Sequence, residues 1–378
     1  MTPNVDVAER MKVIAARINA GQDTYAGRLD AWHSLGVVSG EFQTWRDMVV
    51  AAKADFEVVK KQLEWNGQKV EAYGTFRIDS EIQKGLEERA MKVRSANTGV
   101  VKYLSFMGTV GKDYQVIQHT EGFELLDRLV NSVNGAHYET MGTLDFGNLV
   151  WGQVDPNIKI RVGDDVSDVF LTFHTSHDGS KAFDIFETGI REVCRNTFRM
   201  GSLKRLAASL RVKHTKYAGE RIANLKTEIE EIKHVAMTMQ DRLNFLSKRK
   251  VSHESVDKIM ARLFPKKQTE DGTEESSTRR ENILSDILKL YEYNDGDTFK
   301  EQRGTAYNLL NAVVEYTDHM RSTKGDMRAE SAVFGSGDKL KNSALSIILE
   351  EAENMPKVFE RITGQGVEIP EGVFGSLK

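Results

Sequence analysis

The sequence predicts an α+β protein: a mainly antiparallel sheet with β-hairpins, flanked by helices, plus a long heptad helix and a helical C-terminal part. Glycine punctuates short β-rich segments between residues 100 and 190, and closely spaced strands favour antiparallel pairing because parallel strands need long crossovers. Beyond residue 200, apolar residues recur at helical spacing. Apolar residues make up 40% and charged residues 29% of the 378, which is typical of a domain that buries a core.

Five segments follow from these patterns. They are an N-terminal mostly helical region (1–95), a β-rich core (96–200), a basic helix and long heptad helix (201–264), a polar linker (265–281) and a helical C-terminal region that packs back on the core (282–378). The linker lacks large apolar side chains, as connecting or disordered segments do.

The stretch "VFLTFHTSHDGSKAFDIFETG" (169–189) predicts a β-hairpin in the core. The Asp178-Gly179 pair suits a two-residue type I′ turn, which requires a positive φ at both central positions. In that register His174 faces Phe183. Both faces of the hairpin are largely apolar, so we expect it to be well covered. The predicted contact residues at its tip are His177, Asp178 and Ser180.

Two helices stand out by periodicity. Residues 120–133 place Phe123, Leu126, Val130 and Val133 on one face. Farther on, a heptad seam consists of Ile222, Leu225, Ile229, Ile232, Ala236, Met239, Leu243 and Leu246. One such helix cannot bury its own seam. Its partner is either another helix of this chain or a second subunit, so a homo-oligomer through the heptad helix is one expectation.

Charge is distributed unevenly along the chain. The stretch 191–221 holds nine Lys and Arg residues against Glu192 and Glu220, a net charge of +7, so the rest of the chain, at −4 overall, carries −11. A basic band on an otherwise acidic protein is typical of a polyanion site. The predicted nucleic-acid-binding residues are Arg191, Arg195, Asn196, Thr197, Arg199, Lys204, Arg205, Arg211, Lys213, His214 and Lys216. A solvated face paired with acidic helices is the alternative.

Two enzymatic alternatives use the same region. His174, His177 and Asp178 offer metal ligands if His119 or His137 supplies a third. Cys194 is the single cysteine, and arginines close to it would lower the pKa of a thiol and activate it. Turn chemistry alone explains an aspartate in a hairpin loop, and lone cysteines are commonly buried. We therefore assign no catalytic residue, metal or cofactor.

Seven stretches occur in order along the chain: "AWHSLG" (31–36), "DYQVIQHTEGFELLDRLV" (113–130), "YETMGTLDFGNLVWGQV" (138–154), "HTSHDGS" (174–180), "TGIREVCRNTF" (188–198), "VKHTK" (212–216) and "GTAYNLLNAVVEYTDH" (304–319). Together they resemble the phage/plasmid-like protein family, a domain-of-unknown-function family of mobile-element proteins. The resemblance implies a mobile-element origin but no activity. In outline, phage proteins with a hairpin-rich core and a basic helix are similar to single-strand annealing and recombination proteins.

The expected function is therefore binding of single-stranded nucleic acid in phage or plasmid DNA metabolism, with annealing or recombination as its context. The alternatives are the metal-dependent or thiol enzyme and a protein that binds a host factor through its C-terminal helices. No stretch approaches the ~18 apolar residues of a membrane span, and the N-terminus lacks the apolar run of a signal peptide. We expect a soluble protein of the bacterial host cytoplasm that has no membrane partner.

Overall fold

The computed structural model describes residues 24–27, 37–38, 44–95, 98–191, 197–199, 211–215, 232–268, 274–293, 300–321, 331 and 335–355. The fold is α+β, which confirms the predicted class. Its strands are β1 (Thr24–Gly27), β2 (Val37–Val38), β3 (Glu57–Trp65), β4 (Gln68–Asp79), β5 (Ala90–Arg94), β6 (Val101–Val110), β7 (His137–Leu144), β8 (Leu149–Val162), β9 (Asp165–Ser176), β10 (Phe183–Arg191), β11 (Thr197–Arg199), β12 (Arg211–Val212), β13 (Lys267–Gln268) and β14 (Glu274–Glu275).

The described helices alternate with these strands near the N-terminus and dominate the C-terminal part. They are α1 (Trp45–Ala51), α2 (His119–Ser132), α3 (Ile232–Ser247), α4 (His253–Leu263), α5 (Thr278–Tyr293), α6 (Ala306–Glu315), a π-helical turn (Tyr316–Met320) and α7 (Ser336–Ala352). Short 3₁₀ turns lie at Asp145–Gly147 and Lys300–Gln302.

Eight strands form the central sheet, in the spatial order β11-β10-β9-β8-β7-β1-β2, with β12 also paired to β10. The pair β1–β2 is parallel, and the other pairs recorded in this sheet are antiparallel. β7 to β10 are consecutive in the chain and form a meander, as the closely spaced turns predict. β1 joins the meander from far upstream, because its residues Thr24–Gly27 pair with Thr140–Thr143 of β7.

A second sheet of four antiparallel strands has the order β3-β4-β6-β5. Asn66 and Gly67 close the β3–β4 hairpin with φ angles of 51° and 76°, the backbone that a two-residue turn requires. This sheet corrects the prediction of a mostly helical region over 1–95. Over the described residues 44–95, one seven-residue helix accompanies three strands, because β3 and β5 find their partners in β4 and β6.

The apolar face of α2 packs on the central sheet, as its periodicity predicts. The rings of Phe123 and Phe173 meet edge to face at 4.7 Å. Two glycines permit this approach: a Cβ on Gly122 would lie 2.5 Å from the Phe173 ring, and one on Gly152 would lie 2.7 Å from Phe123. Burying such side chains contributes about 1.5–3 kcal/mol each.

The described half of the heptad seam is buried inside this chain. Ala236, Met239, Leu243 and Leu246 are each at most 1% exposed. Gln240 on the same helix accepts from the backbone N–H of Arg161 at 2.9 Å, which ties α3 to β8. The rest of the seam, upstream of residue 232, lies outside the described residues. An oligomer through that part stays a prediction.

The C-terminal helices pack back on the sheet. The Tyr307 hydroxyl in α6 donates to Asp165 at the start of β9 at 2.8 Å. Lys341 in α7 and Asp318 in the π-helical turn form a buried ion pair of 2.8 Å. The predicted linker is described at 265–268 and 274–281, where its two arms pair as β13 and β14 and α5 begins at Thr278.

Candidate nucleic-acid interface

The hairpin between β9 and β10 forms, but its register differs from the prediction by one residue. His174 pairs with Asp184, one position beyond the partner that a two-residue turn would give it, so the predicted register is wrong. Contacts outside the hairpin explain the longer loop. The backbone N–H of His177 donates to the Asn148 carbonyl at 2.8 Å, and its carbonyl accepts from the Thr75 hydroxyl at 2.6 Å.

The tip of this hairpin rests on the second sheet. A Cβ on Gly108 of β6 would lie 2.8 Å from Asp178, so the two backbones are in close contact. Asp178 accepts from the backbone N–H of Ser180 at 2.9 Å, and these two residues reach the surface. His177 is 0% exposed. Of the three predicted tip contacts, His177 is thus enclosed in the interior, and only the other two are accessible.

His177 forms a buried pair with His119, the first residue of α2. Nδ1 of His119 lies 3.1 Å from Nε2 of His177, and Nε2 of His119 lies 2.7 Å from the Ala54 carbonyl. His119 must donate to that carbonyl, so a neutral His119 accepts from His177 through Nδ1. Burial lowers the pKa of His119 to about 4, and burial lowers the pKa of His177 as well, with the neighbouring His119 adding to the effect. Both rings are therefore neutral at pH 7, and they join α2 to the hairpin.

A buried ion pair between Arg77 and Asp79 of β4 also fixes the turn that joins β7 to β8. Arg77 donates to both carboxylate oxygens of Asp79 at 2.8–2.9 Å and to the Phe146 carbonyl at 3.0 Å. Phe146 belongs to a left-handed turn in which Asp145, Phe146 and Gly147 have φ angles of 48°, 57° and 90°. Such backbone costs about 1–2 kcal/mol per non-glycine residue, and the arginine contact offsets part of it.

His214 of the basic band anchors its neighbours rather than facing solvent. Its ring stacks on Tyr114 at 4.7 Å, with 5° between the ring planes. Its nitrogens lie 3.0 Å from the Gln115 carbonyl and 3.2 Å from the Thr175 hydroxyl. Being 8% exposed, it is positioned to hold the segment 211–215 against β9 and the loop after β6, which corrects its predicted role as a phosphate or base contact.

The anchored segment brings basic side chains together at one end of the molecule, which we call the basic end. Lys112 lies in the loop after β6, and that loop is fixed by Lys60, whose ammonium donates to the carbonyls of Lys112 and Tyr114 at 2.8 and 2.7 Å. The basic end comprises Lys60, Lys112, Lys181, Arg211 and Lys213, which lie on or beside the segments that Tyr114, His214 and β12 hold together. Among the described residues of these segments, the acidic ones are Asp113 and Asp178, together with the buried Asp184 opposite Arg211.

Arg211 and Lys213 are the members of the predicted band whose side chains the structure describes at the surface, and both are exposed. For Arg191, Thr197 and Arg199 only the backbone is described, in β10 and β11. Four further groups lie outside the described residues: Arg195 and Asn196, Lys204 and Arg205, Lys216, and Cys194. The basic helix predicted in 201–264 cannot be assessed over 200–210, which lie outside the described residues, and Arg211–Val212 form a strand.

The side chains of the proposed metal site do not converge. His177 bonds to His119, whereas His174 lies 3.8 Å from Asp184 on the opposite side of the hairpin strand, and Asp178 bonds within its own loop. Within the part of the chain that the structure describes, no three His, Cys, Asp or Glu side chains are grouped to hold a metal ion.

Sequence reasoning missed the residues that assemble this region. Thr75 and Arg77 come from the region predicted to be mostly helical, and Tyr114 is not among the predicted site residues. Arg77 bonds to Phe146, which lies 69 positions away in the sequence, and Thr75 bonds to His177, which lies 102 positions away. The sequence holds one signal: His119 is a candidate third ligand beside His177, although the contact that forms is a hydrogen bond between the two rings and not a shared metal.

A protein-family model, "Domain of unknown function (DUF932)", matches residues 106–335. The chain belongs to this family. The match includes α2, the β7–β10 meander and the hairpin tip, so the histidine pair and the basic end's Arg211 and Lys213 are parts of the DUF932 region. β3, β4 and β5 precede it. Comparison with curated proteins and with solved structures gave no match.

None of the described helices is both long enough and apolar enough to cross a membrane.

Proposed function

We propose that this DUF932 protein binds single-stranded nucleic acid at the basic end, in the DNA metabolism of a phage or plasmid within the host cytoplasm. The supporting observation is the fixed exposure of Arg211 and Lys213 beside the hairpin tip. Both side chains are exposed on a chain whose net charge is −4, and Lys60 holds the loop of Lys112 beside Tyr114, the residue that stacks on His214. Phosphate groups are the ligands that such a surface attracts, and release of their counterions drives binding.

The anchoring of the segment adds to this argument. Arg211 is hydrogen-bonded to β10 through its backbone pairing with Asp184, and the stacked pair of Tyr114 and His214 fixes the next residues. A held backbone loses less conformational freedom when its side chains engage phosphates than a flexible tail would. The two cations are therefore well placed to fix the register of a strand that continues along the band.

The test is fluorescence anisotropy of a labelled single-stranded oligonucleotide at several salt concentrations. Neutralising two phosphates contributes about 1.4 to the slope of log K against log salt for a single strand. The double variant Arg211→Ala/Lys213→Ala should bind more weakly and show a slope smaller by about that amount. The control Lys248→Ala/Lys339→Ala removes the same charge from two exposed positions, one in the turn directly after α3 and one in α7, and should bind like the wild type.

The outcomes separate the hypotheses. Absence of binding by the wild type at low salt contradicts the proposed function. Equal weakening in the two double variants assigns the effect to net charge and contradicts the placement at the basic end.

A further inference from the structure

The second sheet has two faces of different character. Its inner face carries Thr75 and Arg77, which bond to the hairpin tip and to the left-handed turn. Side chains alternate along a strand, so the residues between them point the other way. We call this other side the outer face. Cross-strand pairs place Phe76 beside Phe106, and Leu104 beside Met91, on it.

The outer face exposes large apolar side chains. Phe106 is 46% exposed, Met91 53% and Val93 40%, and they lie on two neighbouring strands around the buried Leu104. Scattered apolar residues on a surface are ordinary, but a contiguous group on one sheet face indicates an interaction site.

Phe106 presents a ring to solvent in a defined position. A Cβ on Gly74 would lie 2.9 Å from the Phe106 ring and 3.1 Å from the Phe76 ring, so both rings lie over the bare backbone of this glycine. The two rings meet edge to face at 5.6 Å, which restricts the Phe106 side chain. A ring held close to a strand on one side, and exposed on the other, has the form of a stacking surface.

The charges around this ring select the occupant. Lys61 and Lys102 are exposed on the outer face, and Glu57 at the far corner of the sheet opposes them. The basic end meets this sheet at its edge: Lys60, next to Lys61, pairs with Thr75 and points to the inner side, where it holds the loop of Lys112, which directly follows β6. An occupant with planar apolar groups on an anionic backbone complements both properties.

We infer that the outer face of the β3-β4-β6-β5 sheet is the surface on which bases of a single-stranded nucleic acid lie, with Phe106 as the stacking residue. This inference rests on the proposed function and deepens it: phosphates contact the basic end, and bases contact the sheet. Such a platform accepts any base, because each has a π-face, so binding shows little sequence preference.

The test compares two ligands of equal length and charge, oligothymidylate and an abasic single strand that keeps the phosphates and lacks the bases. Loss of one stacked base weakens binding at least about fivefold. The wild type should therefore prefer oligothymidylate by that factor or more. Phe106→Leu keeps an apolar side chain and should abolish the preference without changing the salt slope, whereas Phe106→Tyr keeps the ring and should retain it.

Each outcome has a distinct meaning. Failure of the wild type to bind either strand overturns the proposed function and the inference with it. Binding without a base preference, or a preference that survives Phe106→Leu, overturns the inference and leaves the basic end in place. A change of sedimentation on Phe106→Leu with unchanged base preference assigns the face to contacts between copies of the chain and also overturns it.

A second measurement uses the wild type, so it does not depend on the folding of a variant. An oligonucleotide containing 5-iodouracil is cross-linked to the full chain by ultraviolet light, and the modified peptide is identified by mass spectrometry. Cross-links on residues 101–110 support the inference. Cross-links confined to residues elsewhere contradict it.

Discussion

Acidification should weaken the fold through the buried histidine pair. His119 and His177 are both fully buried, and the pKa of each is lowered mainly because burial disfavours the charged ring. In the unfolded chain both rings titrate near 6.5. Below that pH the unfolded chain binds protons that the folded protein does not bind. The free energy of unfolding therefore decreases as the pH is lowered.

The size of the effect follows from His119. Its pKa falls from 6.5 to about 4, and one pKa unit corresponds to about 1.4 kcal/mol. The stabilisation is complete above pH 6.5 and is lost as the pH falls toward 4, by about 3 kcal/mol in all and about 2 kcal/mol by pH 5. His177 acts in the same direction.

Urea denaturation at pH 7 and pH 5 measures this loss directly. His119→Gln keeps a donor toward the Ala54 carbonyl and cannot titrate, so its free energy of unfolding should change with pH by about 2 kcal/mol less than that of the wild type. The control is His253→Gln, at an exposed position at the start of α4. If His119→Gln and His253→Gln both keep the full pH dependence of the wild type, the reasoning about the buried pair is wrong.

Three further predictions concern packing, charge and capping, and urea denaturation tests each. Gly122→Ala places a Cβ against the Phe173 ring and should destabilise the protein by about 1–3 kcal/mol; an unchanged midpoint would show that α2 shifts freely. Asp318→Ala removes the carboxylate from the buried ammonium of Lys341 and should cost about 3–5 kcal/mol, most of which Asp318→Leu/Lys341→Met should restore; no recovery would contradict the charge argument. Thr305→Ala removes the cap of α6 at a cost of about 1 kcal/mol, whereas Thr305→Ser should retain it, and equal losses in the two would exclude the hydroxyl as the cause.

The features that depend on neighbouring residues in the sequence were predicted correctly. The periodicity of α2 identified its buried face, and the Asp178-Gly179 pair identified a hairpin whose glycine has a φ of 83°. The register was missed because it depends on bonds from His177 to residues of β4 and of the turn after β7. Rules that relate turn sequence to hairpin register consider only the residues of the turn itself, so they cannot account for hydrogen bonds to distant residues.

The second sheet was missed for a related reason. Residues 57–65 carry few consecutive apolar side chains, and their strand is stabilised by pairing with β4 and by the amide of Gln118, which bonds to Val58 at 3.1 and 2.7 Å. The positive charge of the basic band can be read from the sequence. The burial of His214 cannot, because the ring that stacks on it belongs to Tyr114, 100 positions upstream. Sequence therefore indicated a candidate region, and in its described part tertiary contacts turn His214 inward and leave Arg211 and Lys213 exposed.

The pairing of β1 with β7 also affects how the chain matures during translation. Thr24–Gly27 leave the ribosome more than 110 residues before their partners Thr140–Thr143. At about 5–20 residues per second, the interval is roughly 6–23 s. During that time β1 has no strand of the meander to join, so the β3–β6 sheet is the first that the nascent chain can complete. The central sheet closes only afterwards, and a ribosome that stalls before residue 137 leaves β1 exposed to other chains.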